Sequence, residues 1–485
     1  MLLPFPPWRP DVAGLNGSTT ATARGVLRYE DGYLPFPGFA EYSDELGETV
    51  YGAFLAYESG GTRVIFAGTA GGLYRLATDG TWTDVTQAAT TYSATNENRW
   101  SFAQFGDFII AVTPNDAPQV YNMAAPATFV DLPGSPPDAR WVAVWGDFLV
   151  LGGLALHPTR VHWSGLNDIE EWTPGTKFSD FQDFPDGGVV QGMTASDTAL
   201  IFQETSIRRA VYLPGSPLIF QFEKLTEDIG TKSPYSIVQR EQGAFFIAED
   251  GFYFIDGGGV VSPIGAERVN RTYVEDTDGG WLVYTDGVLD PTNQRVYWAS
   301  RSKSSPGAAL NRLWIYDFQR GEWTDAIVDL QILAKAATPG YTLEDLDAFG
   351  TMETLPFSLD SRVWVGGAAT LAGFTSGGAM GFFSGANQAA VVETAELGAT
   401  DGQLTRITEV APVVDTTAAL VRIGRRRVRS GSVAWTADRA TSPGTGRANI
   451  NSRARYQRIR VTIPAGTTWS YLQGVDLTSR PDGMR

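Results

Sequence analysis

Cysteine is absent from this sequence, and histidine occurs only as His157 and His162. The first absence excludes disulfides, thiolate nucleophiles and cysteine-ligated metals. The second leaves any zinc site around the histidine pair two partners short, so we read both residues as structural. Helix signals are scarce. There is no Gly-x-Ser-x-Gly elbow, no phosphate-binding Gly-Lys-Thr/Ser loop and no His-Glu-x-x-His pair. The most apolar stretch, roughly 141–156, carries Asp147 and several glycines, which rules it out as a membrane span. The opening Met1-Leu2-Leu3-Pro4-Phe5-Pro6-Pro7-Trp8 is too short and too rich in proline for the apolar segment of a signal peptide.

What is abundant is glycine, proline and aromatic residues, with 54 Gly, 27 Pro and 12% Phe, Trp and Tyr. That mixture fits many short strands joined by tight turns. One phrase recurs: an apolar strand opened by a polar or glycine turn, a strand carrying Tyr or Trp, then a third strand. Aligned on Val64, Phe108, Phe148, Ala199, Phe245 and Val296, the copies are spaced by 44, 40, 51, 46 and 51 residues. A drifting period in the forties, built from three or four strands, is the pattern of propeller blades.

The expected fold is therefore all-β. Residues 1–50 read as an extended N-terminal arm packed on another surface. Residues 51–395 read as a β-propeller, interrupted at about 327–358, where 342–349 forms a short helix or an ordered loop. Residues 396–485 read as an arginine-rich antiparallel β-sandwich. Its strands are expected at 403–412, 418–429, 431–437, 454–463 and 468–477. Strict alternation marks Arg458-Ile459-Arg460-Val461-Thr462-Ile463.

Charge divides the same way. The first 400 residues hold 23 basic and 48 acidic side chains, a balance of −25. Residues 401–485 hold 14 arginines, no lysine and 6 acids, a balance of +8. An acidic body repels nucleic acid. The arginines Arg422, Arg425, Arg426, Arg427, Arg429, Arg453, Arg455, Arg458 and Arg460 are the densest charge feature, and all but Arg453 form our candidate assembly surface. They would meet acids on adjoining subunits, since Arg suits bidentate carboxylate pairing. Asp107 and Asp147 occupy matching positions in two copies of the repeat, as propeller glycosidases place their acids. A short acid in such a turn also caps backbone amides, and later copies replace it, so we read both as turn residues. Asp79-Gly80-Thr81-Trp82 has part of the sialidase Asp-box pattern without its leading Ser, and no second copy.

Several segments together resemble the tail-nozzle family of short-tailed bacteriophages, the packaged-DNA stabilisation or tail-hub proteins. They are Gly32-Tyr33-Leu34-Pro35-Phe36-Pro37-Gly38-Phe39-Ala40, Gly146-Asp147-Phe148-Leu149-Val150 with Arg160-Val161-His162-Trp163-Ser164-Gly165-Leu166-Asn167-Asp168 and Trp172, Leu200–Ile207 with Gly251-Phe252-Tyr253 and Val260–Gly265, and Arg455–Ile463 with Gln473–Leu477. The resemblance spans most of the chain. It implies a virion subunit in a sixfold ring, assembled in the host cytoplasm, that extends the DNA channel of the portal–tail complex. Such a ring would contact head-to-tail adaptors above and needle or fibre proteins below. It would pass double-stranded DNA without sequence specificity, and an acidic lining would let the duplex slide. Catalytic residues, cofactors and metals are not expected. The alternatives are a propeller hydrolase acting on surface glycans and a glycan-binding adhesin.

Overall fold

The computed structural model describes residues 1–12, 19–216, 218–304, 309–337, 369–398 and 403–483. Among them the protein is almost entirely β, organised as seven four-stranded antiparallel units followed by a sandwich. Each repeat position read from the sequence lies on the second strand of its unit. Val64 is on Arg63–Thr69, Phe108 on Phe108–Thr113, Phe148 on Phe148–Leu154, Ala199 on Thr198–Gln203, Phe245 on Gly243–Ala248 and Val296 on Arg295–Ser300. These second strands carry the clearest signal because both their faces are buried, as in the unbroken burial of Phe148–Leu154. The first strand of each unit is less apolar, and the sequence reading passed over it.

First strands of successive blades meet round an axis, and that of blade seven (Ile332–Ala336) packs on that of blade one (Val50–Tyr57), which closes the ring. Seven apolar clusters fill the gaps between neighbouring blades. Ile65, Phe374 and Met380 join blades seven and one, and Ile110, Val112, Leu149 and Leu151 join two and three. Closure leaves no blade face open to solvent, and only short outer strands remain as edges.

Two expectations are corrected. The first 41 residues are not an appended arm, because their strands complete three separate sheets. Pro37–Glu41 forms the outer strand of blade seven beside Met380–Asn387, so the N-terminal part of the chain latches the ring. Thr20–Arg24 lies between the outer strand of blade six (Glu322–Leu330) and Ala390–Thr394, fusing that blade to the sandwich in one eleven-stranded sheet. Leu2–Pro4, Val26–Tyr29 and Gly32–Pro35 join the other sandwich sheet. The interruption expected at about 327–358 does not begin at 327, since Glu322–Leu330 and Ile332–Ala336 are regular strands. The expected element at 342–349 lies outside the described residues.

The sandwich follows its binary pattern. Tyr456–Ile463 alternates half-exposed and buried at every step, with Ile459, Val461 and Ile463 in the core. The expected strand at 454–463 begins two residues later, after a turn at Arg455. The turn separates it from Ala448–Ala454, a strand the sequence reading missed. The sandwich core is continuous with the core between blades five and six: Trp8 stacks on Trp314 at 6.1 Å, and Trp298, Trp314 and Trp323 are fully buried beside Phe252. Shared apolar packing of this kind makes the two lobes one body.

Candidate functional site

Two places combine accessibility with chemistry. The first is the mouth of the propeller axis. Short segments preceding the first strands converge there and frame a cavity of about 400 Å³ lined by Glu97, Arg140, Gln191, Lys232, Tyr235 and Tyr284, among others. Its floor is a polar plug. Arg99 is buried, reaches Asp286 at 3.4 Å and stacks over the Tyr235 ring at 4.2 Å. Asp286 also accepts the Leu333 N–H at 2.8 Å. Burial pushes the Asp286 carboxyl above the usual carboxylate range, and the Arg99 charge opposes that rise. Arg140 and the Tyr235 hydroxyl both donate to the Glu97 carbonyl, at 2.6 and 2.8 Å, while Tyr284 donates to the Glu97 carboxylate at 3.0 Å. None of these residues was singled out from sequence. They lie just outside or at the start of the weakly patterned first strands, and only ring closure brings blades two to six together.

The carboxylates weighed as a glycosidase pair are elsewhere. Phe105 pairs with Phe108 and Trp145 with Phe148, so Gly106-Asp107 and Gly146-Asp147 are two-residue turns joining first to second strands. Their glycines adopt φ of +58° and +56°, which favours glycine at the first turn position. The first strands run from the cavity toward these turns, which puts Asp107 and Asp147 at the opposite face. Asp147 accepts the Tyr212 hydroxyl at 3.1 Å. Asp79 caps its own turn, accepting from the Thr81 amide and hydroxyl at 3.0 and 2.7 Å, and these bonds hold its pKa below the ordinary value. His157 is exposed, whereas His162 is buried edge-on to Trp172 and Phe181.

The second place is the arginine surface, and the structure splits it. On the outer face of the fused sheet, Arg422 is directly opposite Arg460. Arg422, Arg458 and Arg460 surround the Trp435 ring at 5.1, 5.8 and 4.2 Å. Each has an acid within the chain. Arg458 and Arg460 share buried Glu393 at 2.8 and 2.7 Å, and Arg422 lies 3.7 Å from Asp438. Arg426 grips Glu396 with two bonds of 2.5 and 2.6 Å, which raises the arginine's pKa further. Arg429 lies over Tyr456 at 5.2 Å. Arg425, Arg427 and Arg455 have no acidic partner among the described residues.

No known family and no curated protein matches this chain. Among solved structures, the chain is similar to the extracellular domain of a hybrid two-component system from B. thetaiotaomicron. Identity there is 12%, the TM-score is 0.42, and the match covers 82% of this chain and 47% of that one, so the chain spans about half of that domain's length. The computationally designed Ika8 protein is 9% identical with a TM-score of 0.39, over 78% and 98% of the two chains. YCF48 bound to D1 peptide is 13% identical with a TM-score of 0.38, over 62% and 86%.

Proposed function

We propose that this chain is a non-catalytic virion subunit of the tail-nozzle or tail-hub type, which forms a ring extending the DNA channel at the phage tail. The observation that carries this reading is charge segregation across two lobes that share one sheet and one core. An acidic propeller is fused through blade six to a sandwich whose exposed charge is dominated by arginine. The side-chain plug at the axis implies that DNA passes between subunits rather than through a single propeller. An acidic wall suits that passage because a duplex would not adhere to it. Adaptor, needle or fibre proteins would dock at the two ends of the ring. Negative-stain imaging of the purified protein, with mass spectrometry of virions, tests the proposal. Rings and virion incorporation are expected, and a dispersed monomer absent from particles would sink it.

A second reading has its own observation. The axial cavity offers Tyr235 and Tyr284 beside Arg140, Lys232 and Glu97, a mixture of rings and hydrogen-bonding groups able to hold a sugar. In that case the protein is a glycan-binding propeller. Calorimetric titration with neutral and acidic oligosaccharides should then give binding that Arg140→Ala weakens at least about tenfold.

A further inference from the structure

Six arginines without full counter-charge gather at one tip of the sandwich, exposed Arg425, Arg427, Arg453 and Arg480 and half-buried Arg406 and Arg455. Thr405 pairs with both Ala454 and Pro481, and Gln457 pairs with both Leu397 and Arg425, so these strand ends share one end of the fold. Arg406 there is directly opposite Arg453 on one neighbouring strand and Arg480 on the other. At roughly 4.8 Å between strands the row spans about 10 Å. Like charges placed directly opposite destabilise an antiparallel pair, and the counter-charge is thin. Arg453 reaches Asp482 at 2.7 Å, Arg406 donates to the Asn451 side-chain oxygen at 2.9 Å, and Arg480 has no acidic partner among the described residues. Arg425, Arg427 and Arg455 add three more cations to the same tip. An arrangement that strains the isolated chain points to an anionic surface as its partner.

The chain carries such a surface at its other end. Tyr33 pairs with Leu472, eight residues before Arg480 on the same strand, a separation of about 26 Å. The two strands are antiparallel, so the path from Tyr33 to Glu41 leads away from the tip. Glu41, Asp44, Glu45 and Glu48 follow, all exposed and without an ion pair among the described residues. Their backbone is already ordered across blades seven and one: Ser43 N–H donates to the Met380 carbonyl at 3.1 Å, Asp44 to Gly80 at 2.9 Å and Gly47 to Gly377 at 3.0 Å. Exposed Asp79 lies on the adjoining turn.

We propose that the arginine tip of one copy docks on the acidic collar at 41–48 of the next. The two patches differ and lie at opposite ends, so the contact is head-to-tail and repeats into a closed ring or a filament. The inference rests on the ring reading above only for closure. Charge complementarity names a second copy as the occupant, since the collar gathers four exposed acids on ordered backbone, without an ion pair among the described residues, where the tip cannot reach within its own chain.

The test uses the full chain and two charge-reversed variants, Arg406→Glu/Arg453→Glu/Arg480→Glu and Glu41→Lys/Asp44→Lys/Glu45→Lys/Glu48→Lys. Sedimentation is measured at about 0.05 M and 0.5 M salt, where screening lengths differ several-fold. Wild type should associate at low salt and dissociate at high salt. Each variant alone should associate at least about tenfold more weakly, and a one-to-one mixture should recover assembly, because every contact then joins unlike charges. That recovery also shows both variants to be folded. The matching neutral variants (Arg→Gln at the tip, Glu→Gln and Asp→Asn at the collar), which disturb folding least, should show the same weakening alone and stop at one-to-one pairs on mixing, because only the collar variant's arginine tip and the tip variant's acidic collar still match. A monomeric wild type, variants that associate like wild type, or a mixture that stays apart would overturn the proposal. So would a tip variant that loses affinity for a short DNA duplex while self-association is unchanged. Absence of the protein from virions would leave this result standing, so the two proposals fail separately.

Discussion

Three arginines around Trp435 are compatible with a folded sheet only because Glu393 lies beneath two of them. Its side chain is 2% exposed, while those of Arg458 and Arg460 are 29% and 23% exposed. Removing the acid would leave two cations that can still turn toward water. Asp325 is the harsher case. It is fully buried and holds Arg24 at 2.7 Å and Arg312 at 3.2 Å, the latter only 11% exposed. We expect Asp325→Asn to cost about 3 kcal/mol and Glu393→Gln about 2, since loss of Asp325 leaves Arg24 unpaired and buried Arg312 with Asp276 alone, at 2.9 Å, whereas Arg458 and Arg460 can turn toward water. Urea denaturation of both variants checks the order.

His162 supplies a pH signal. Burial beside Trp172 and Phe181 holds its pKa below the ordinary 6.5. A base whose folded pKa is depressed contributes stability that is fully present above the unfolded value and lost as pH falls through the folded one. Melting temperature should therefore begin to drop below about pH 6.5, and His162→Leu should remove that component. A second decline belongs below about pH 4, where Asp168, Asp183 and Asp186, lowered chiefly by hydrogen bonds from Lys177, Arg160 and Lys224, become protonated. His162→Leu should leave that decline unchanged.

At the scale of elements, the decisive strand is Pro37–Glu41, which completes blade seven from the far end of the sequence. Tyr42 N–H donates to the Met380 carbonyl at 2.7 Å, so two residues earlier Ala40 faces the same partner strand, opposite Phe382. Ala40→Pro should remove one ladder bond and cost roughly 3 kcal/mol. Hydrogen exchange should rise first across Met380–Asn387, and a change spread evenly over all blades would contradict the latch. Gly25 is the matching point at the seam with blade six. Its φ is +67°, its N–H donates to the Asp325 carbonyl at 2.7 Å, and an added Cβ would lie 2.3 Å from the Ala389 carbonyl oxygen. Gly25→Ala should therefore loosen the seam, raising exchange in Thr20–Arg24 and Ala390–Thr394 before the propeller responds.

For the whole molecule, the axial plug gives one more expectation. Arg99→Met would leave Asp286 buried without its cation, so the loss should approach 3 kcal/mol at neutral pH and shrink as pH falls and the carboxyl protonates. A loss independent of pH would mean that Arg99 serves by packing on Tyr235 rather than by charge.

The blade period, the all-β class and the alternation of the last strands were legible in the residues, because strands buried on both faces or on one must write that burial into every residue or every second one. The turns at Asp107 and Asp147 were legible for the same local reason, since a two-residue turn constrains its own amino acids. The N-terminal latch, the fusion of blade six to the sandwich and the axial cavity were not. Each joins segments up to hundreds of residues apart, and pairing partners along a β-edge leave no local period. The arginines show the division most plainly. Sequence placed Arg422, Arg426, Arg458 and Arg460 in one charged group with Arg425, Arg427, Arg429 and Arg455. Register alone decided that the first four would lie against Glu393, Glu396 and Asp438, and that Arg406, Arg453 and Arg480 would stand abreast at the tip, because a cross-strand neighbour is set by strand pairing and not by distance along the chain.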